Sequence, residues 1–545
     1  MSFSVKKWAN RKVQYPGRYI LKNTTSGASQ TVDMIRDEGT VQTEGDAVSE
    51  TNMNDLENRI SSEFINVNNS IDTINSKINL PNKVYTVKWD KTNAQMTREG
   101  DSESITVNTA NFKHSGSVNS LYSNPFDSIY PWSERQLCNI DIDKYMAFVA
   151  AGTGNIESCV TKWEHGTGID FADSNGVWVY TPEFWHISYD SGSNRYFSVS
   201  PTQRNGWVHS PARIAGRWLG IDETRTINSA SVHVLLPKVG NPAVNVTFAN
   251  LHQYAKNFGA TLNNVYAYDA DQMLYLVEYA NYNIQGAIGR GVDDLYQPGI
   301  KFSEAATSSN IVKIPHSDKA IVGAQLDIST ASDGFDIASA IITAVSTTGG
   351  IDTLTINTAV TVTTSNYANI HGISNVTDAS IASMSGYIGI NGRSNAYYRG
   401  AVMYGNRWQY LLGLYRHTGD NHVYYSNTED IADTLDALDT TKCTDTGLAL
   451  PQGASGSAAE GYIKTLGIKT GILSSPPICT LTGGDSSNPI GDYFYTPTLA
   501  TGNTVCMVGS HAGNGAMVGS SYAYWYSTAS DSWWGDAARP LLKHS

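Results

Sequence analysis

The stretch SYAYWYSTASDSWWGDAARPLLKHS, Ser521–Ser545, closes the chain. Tyr522, Tyr524, Trp525, Tyr526, Trp533 and Trp534 crowd its first fourteen positions. So much ring surface either fills a core or waits for a ligand. Which of the two holds decides both fold and function, and the rest of the sequence bears on the choice.

The chain has 545 residues, more than one ordinary domain needs. Only 16% are charged, whereas Gly numbers 48 and Tyr 31, a composition unlike that of disordered chains. It suits a rigid, loop-rich, largely β protein with a Ser, Thr, Asn and Tyr surface, the palette of adhesive paratopes. Lys and Arg total 37 against 50 Asp and Glu, so the formal charge is −13. Without a basic run, nucleic acid is not an expected partner. No apolar run is long enough to span a bilayer, and MSFSVKKWANRKVQ lacks the apolar core of a secretory signal, so synthesis in a host cytoplasm is expected. Five scattered cysteines, Cys138, Cys159, Cys443, Cys479 and Cys506, argue against a disulfide scaffold or a zinc site.

Residues 1–50 read as short strand-like pieces with few apolar side chains, stable only when docked on something. NMNDLENRISSEFINVNNSIDTINSKINLP follows and carries a seven-residue periodicity. Phe64, Ile71 and Ile78 fall at a; Met53, Ile60, Val67 and Ile74 fall at d; Leu56 is one residue out of step and Pro81 ends the helix. Such a narrow stripe needs copies of itself, and isoleucine at both a and d favours three or four strands over two, with a homotrimer the expectation. The alternative is an amphipathic helix lying on its own domain. Further on, TFANLHQYAKNFGA predicts a helix capped by Thr247 and stopped at Gly259, and DADQMLYLVEYAN predicts one starting at Asp269 with Gln272 completing a capping box. Residues 308–372 turn rich in Thr, Ile, Ala and Val, with alternating runs around a turn at Thr347–Gly350, which predicts an inserted β unit or a linker domain.

The stretches YPGRYIL (Tyr15–Leu21), VDMIRDEGTVQTEGDAVS and NMNDLENRI resemble the N-termini of phage tail-fibre and baseplate-appendage proteins, where such a segment docks on the tail. NPFDSIYPWSERQLCNI (Asn124–Ile140), GVWVYTPEFWHISYD (Gly176–Asp190), NRYFSVSP and GWVHSPA resemble the opening of a domain common in phage fibre proteins. LYLVEYANYNIQGAIGRG, YRGAVMYGNRWQYLLGLYRH and the stretch from GDYFYTP to the C-terminus resemble the C-type lectin fold, in the branch shared by formylglycine-generating enzymes and retroelement-diversified phage tropism determinants. That resemblance implies that Leu541 and Leu542 are buried, with Pro540 departing from the usual pattern. Tyr522, Tyr524 and Tyr526 would then project from one strand face, Trp525 would point inward, and Trp533 and Trp534 would split between surface and core.

Catalytic signals are sparse. The sequence has no Gly-x-Ser-x-Gly elbow, His-Glu-x-x-His, Walker loop or complete Gly-x-Gly-x-x-Gly. His186 and His209, in apolar strands, are expected in the core. The copper-binding cysteine pair of formylglycine-generating enzymes is not matched, since Cys479 and Cys506 stand far apart. SWWGDAA offers only Asp536 toward a calcium site, so no metal or cofactor is expected. Asp485, Asp492, Asp531 and Asp536 are the acids from which a hydrolytic pair would have to come.

The expectation is therefore a mixed fold, mainly β with some α: an attachment segment at 1–50, a trimeric coiled coil at 51–81, a neck or linker at 82–109, and a C-type lectin-like head at 110–307 and 386–545, interrupted by a β subdomain at 308–385. The function expected is that of a non-enzymatic phage tail fibre or receptor-binding protein in the virion. It would dock on tail or baseplate proteins and bind a host-surface glycan or protein through Tyr493, Tyr495, Asn514, Tyr522, Tyr524, Tyr526, Ser530, Asp531 and Trp533. The rivals are a purely structural baseplate or collar protein and a polysaccharide-degrading tailspike.

Overall fold

The computed structural model describes residues 18–22, 29–33, 51, 53–62, 80, 82–107, 125–140, 160–164, 170–227, 229–375, 395–426 and 442–542. The chain is mainly β with few helices. It divides into two compact units, Met1–Leu80 and Pro81–Ser545.

In the first unit Arg18–Lys22 and Ser29–Asp33 form an antiparallel pair. A helix covers 53–62. On this helix Leu56 is 41% exposed and Ile60 40%. Phe64, Val67, Ile71, Ile74 and Ile78 lie outside the described residues.

The second unit is built around a nine-stranded sheet. Its order is Cys443–Ala449, His422–Ser426, Trp408–Arg416, Thr504–Val508, Ala523–Tyr524, Tyr493–Thr496, Ala459–Leu466 and Cys479–Thr482, with Asp536–Ala537 running parallel to Trp408–Arg416. Both faces are covered at its central strands, which is why Trp408–Arg416 reads as a nearly unbroken apolar run rather than an alternation. One face supplies Leu411, Phe494, Cys506, Val508 and Ala523 to a core shared with Tyr85, Trp89, Phe184 and Phe197 of a five-stranded sheet. The other supplies Tyr410, Leu412, Val505 and Met507 to a core shared with Trp178, Ile214 and Leu542 of a six-stranded sheet.

The C-terminal stretch ties these layers together. Pro540–Leu542 pairs with both Arg213–Gly216 and Ala260–Leu262. Leu541 and Leu542 are buried, and Arg539 beside them is 1% exposed. Residues 82–107, expected as a neck, instead supply Tyr85–Asp90 and Gln95–Gly100 to the five-stranded sheet. Tyr85, Val87 and Trp89 alternate inward there, so this segment belongs to the core.

Two helices bridge the sheets. Phe248–Asn257 is capped by Thr247, whose hydroxyl accepts from the Asn250 N–H, a contact worth about 1 kcal/mol. Phe248, Leu251 and Ala255 face the second core. The next helix runs Val265–Tyr279 and begins before the expected Asp269, with Asn264 as its cap. Its acidic residues point into the protein rather than to solvent. Asp269, Asp271 and Glu278 are all buried and partnered, so the helix has no solvent face. Asp269 accepts the Ser474 and Ser475 N–H groups, and Glu278 holds both Arg399 (2.7 Å) and the Tyr398 hydroxyl (2.7 Å).

The inserted sheet is present and starts upstream of the expected 308. It runs Tyr296–Lys301, Tyr367–Ile373, Ala324–Ser329, Ala338–Thr348, Ile351–Val362 and Ala306–Pro315 in spatial order. Phe302, Ile314, Leu326, Ile342, Leu354 and Ile370 converge on its own core. The expected turn sits between Thr348 and Ile351, where Gly349 (φ +60°) and Gly350 (φ +77°) take the left-handed conformation a two-residue hairpin requires. Arg407 clamps the insertion to the nine-stranded sheet by donating to Gln325 (2.8 Å) and to the His371 carbonyl.

Candidate functional site

The open part of the second face lies where Ala459–Leu466, Tyr493–Thr496 and Ala523–Tyr524 run side by side. Registers of Glu460 with Tyr495, Tyr462 with Tyr493, and Tyr495 with Tyr524 put these residues on one face. Phe494, Ala523 and Trp525 point the other way and are fully buried. Strand alternation thus sorts rings into core and surface along one short sequence.

The outer rings form a continuous tract. Tyr495 stacks on Tyr524 (5.0 Å between ring centres), and Tyr526 sits 6.5 Å from Tyr495 and 6.0 Å from Tyr524. Tyr524 also stacks on the buried Trp408 at 5.2 Å. Tyr462 meets Tyr493 edge-on at 5.1 Å. Tyr493, Tyr495 and Tyr524 are half-buried, while Tyr526 is 49% exposed.

Tyr522 departs from the expected arrangement. It is only 4% exposed, wedged edge-on against Trp408 (4.6 Å) and Tyr493 (5.7 Å), so it supports the tract from beneath. Trp533 lies at the surface, 39% exposed, while its neighbour Trp534 is 1% exposed. Asn514 accepts the His511 N–H (2.8 Å), and Asp531 accepts the Thr528 N–H (2.7 Å) next to the exposed Ser530. Both polar residues therefore brace the loops that carry the rings. Glu460, Tyr462, Trp408 and His511 were missed by sequence reasoning. The alternation Glu460, Tyr462 was visible, but its pairing with Tyr493 and Tyr495 was not.

The electrostatics favour neutral hydroxyls. Burial pushes Tyr524 up to about 12, with Tyr495 and Tyr526 adding to the shift. Tyr493 is raised by burial and then by the Glu460 carboxylate. These phenols stay protonated and offer hydrogen-bond donors beside apolar ring faces.

Of the four acids, Asp531 lies near enough to Asp536 for its charge to add to the upward shift that burial gives Asp536. Asp492 is sealed in the core and accepts the Ser521 N–H (2.7 Å); burial holds its carboxyl well above the usual range. Gly519 makes room for it, since a Cβ there would lie 1.9 Å from Asp492 Oδ1. Asp485 caps an exposed turn through the Ser487 and Asn488 N–H groups. Asp536 is 2% exposed, 3.2 Å from the Tyr410 hydroxyl, and pushed up to about 7 by burial. Of the two histidines expected in the core, His186 is 1% exposed. His209 is surface-exposed, because Val208–Ser210 is an edge strand, and it stacks on Trp185 at 4.8 Å.

Asp536 yields a pH prediction. Its folded-state carboxyl keeps its proton up to about pH 7, whereas the unfolded chain releases it near the ordinary value of 3.8. Asp536 therefore withdraws stability as pH rises through that window. Asp536→Asn should gain on wild type by a few kcal/mol between about pH 4 and pH 7, then level off. Denaturant titrations across that range measure it; a difference independent of pH would contradict the assignment.

No family model matches this chain, and a search of curated proteins finds no match either.

Proposed function

We propose that this chain is a phage tail-fibre or receptor-binding protein whose aromatic face adsorbs to the host surface. The observation that carries the reading is the tract of Tyr462, Tyr493, Tyr495, Tyr524 and Tyr526. Solvent-facing rings in such a run are costly unless something covers them. Rigid rings lose little entropy on binding, and their hydroxyls supply direction.

A C-type lectin-like architecture is supported by the buried Leu541 and Leu542 and by a last strand that sits between two earlier ones in a single sheet. Homotrimerisation through 53–80 is supported by the exposed Leu56 and Ile60 of the helix at 53–62 and by the heptad that continues beyond it. Three copies would raise avidity by about 10²–10⁴ per linked site. Residues 1–50 would dock on the tail.

The test uses the purified full-length chain. Added to host cells, it should compete with phage particles for adsorption, and light scattering should give three times 59.1 kDa. A chain of monomer mass contradicts the trimer. Undiminished adsorption with the chain in excess contradicts the receptor role and favours a structural virion component.

A further inference from the structure

We propose that the inserted sheet completes a second ligand subsite where it meets the nine-stranded sheet, and that this subsite takes a neutral sugar ring. The proposal rests on the receptor-binding reading and extends it to a part of the chain outside the C-terminal stretch.

Rings from four separate segments form one block there. Trp533 stands edge-on to His511 at 5.2 Å, and His511 stands edge-on to Tyr296 of the insertion at 6.1 Å. Trp534 lies beneath, stacked on Tyr296 (5.0 Å) and on His371 (4.2 Å). Trp534 and His371 are buried, so the block is rigid; Trp533 and Tyr296 reach its solvent edge.

Beside Tyr296 stands Asp333, and the fold goes to some length to place it. Its φ of +67° is a left-handed conformation, which Asp and Asn adopt more readily than other residues with a side chain. Asn369 holds that backbone, accepting the N–H groups of Asp333 (3.1 Å) and Gly299 (2.7 Å) and donating to the Gly334 carbonyl (2.8 Å). The carboxylate is aimed by His371, whose Nε2 lies 2.9 Å from Asp333 Oδ1 and whose Nδ1 lies 2.8 Å from Asp327. Asp327 is in turn fixed by Gln325 (3.1 Å). A fully buried chain of polar groups therefore orients a carboxylate whose side chain is still 37% exposed. Such bracing of a surface acid fits a group that meets a ligand.

The chemistry selects the ligand class. An exposed Trp ring matches the C–H face of a pyranose, and an oriented carboxylate accepts two sugar hydroxyls. The Asp333 carboxylate at the edge of the block repels phosphates and uronates, which leaves a neutral sugar.

The test compares wild type, Trp533→Ala, Asp333→Asn and Tyr526→Ala on an array of neutral hexose and N-acetylhexosamine oligosaccharides, with melting temperature as a control for folding. Asparagine tolerates the left-handed backbone, so Asp333→Asn removes charge without removing the turn. Wild type should bind at least one glycan with little sensitivity to salt. Trp533→Ala and Asp333→Asn should each weaken it about tenfold or more at unchanged melting temperature. Wild-type affinity in both, with loss only in Tyr526→Ala, removes the subsite and leaves the receptor reading intact. A chain that adsorbs to cells but binds no neutral glycan, or binds only at low salt, overturns the proposal alone. A chain that binds neither overturns both.

Discussion

Asp271→Ala is expected to cost the second unit about 3–5 kcal/mol at least, enough to remove most of the stability of an ordinary domain. Asp271 is 2% exposed and lies at the centre of three arginines. Arg135 reaches it at 2.6 Å, Arg213 at 2.5 Å and Arg539 at 3.6 Å. Burial works against the carboxylate, yet the guanidiniums prevail and hold its pKa well below the usual range. The three arginines come from the start of the six-stranded sheet, from its middle and from the C-terminal segment, so one carboxylate pins segments hundreds of residues apart in sequence. Without it, three buried guanidiniums lose the carboxylate they share. Soluble yield and thermal unfolding of the full chain measure the effect. A melting temperature within a few degrees of wild type would show that the cluster is not what closes the fold.

The second large effect concerns binding. Tyr524→Ala with Tyr526→Ala should lower adsorption about 10²–10³-fold, because central aromatic anchors carry most of the energy of such surfaces. Tyr526, the more exposed ring, should remove affinity without affecting stability. Tyr524 stacks on Trp408 and Tyr495, so its loss should also cost stability, about 1–3 kcal/mol. The two substitutions therefore separate in melting temperature while acting together in binding. Full adsorption by the double variant would move the site off this face.

Much of this was legible in residues whose signal is local. Thr247 announced its helix because capping is a matter of adjacent residues. Gly349 and Gly350 marked their hairpin because two consecutive left-handed residues suit little else. The inward Trp525 and outward Tyr526 follow from strand parity. What failed depended on distant partners. Asp269 looked like a helix start because its true partners, the Ser474 and Ser475 N–H groups, lie some two hundred residues away in sequence. Tyr522 had the parity of a surface ring, but Trp408 from another strand covers it. The insertion began earlier than expected because Gln297–Ile300 contains Pro298 and Gly299 and breaks register, which hides a strand from any test of alternation. Asp333 carried no sequence signal, since its meaning comes from His371 and Asn369 beneath it.

The most direct measurement is oxidative footprinting of the full-length chain with and without a saturating host-envelope fraction. The account predicts that labelling of Tyr526 and Trp533 falls sharply on binding, while labelling of exposed residues elsewhere, such as Tyr189, does not change. Equal labelling of Tyr526 and Trp533 in free and bound chain, with binding demonstrated in the same sample, would contradict it.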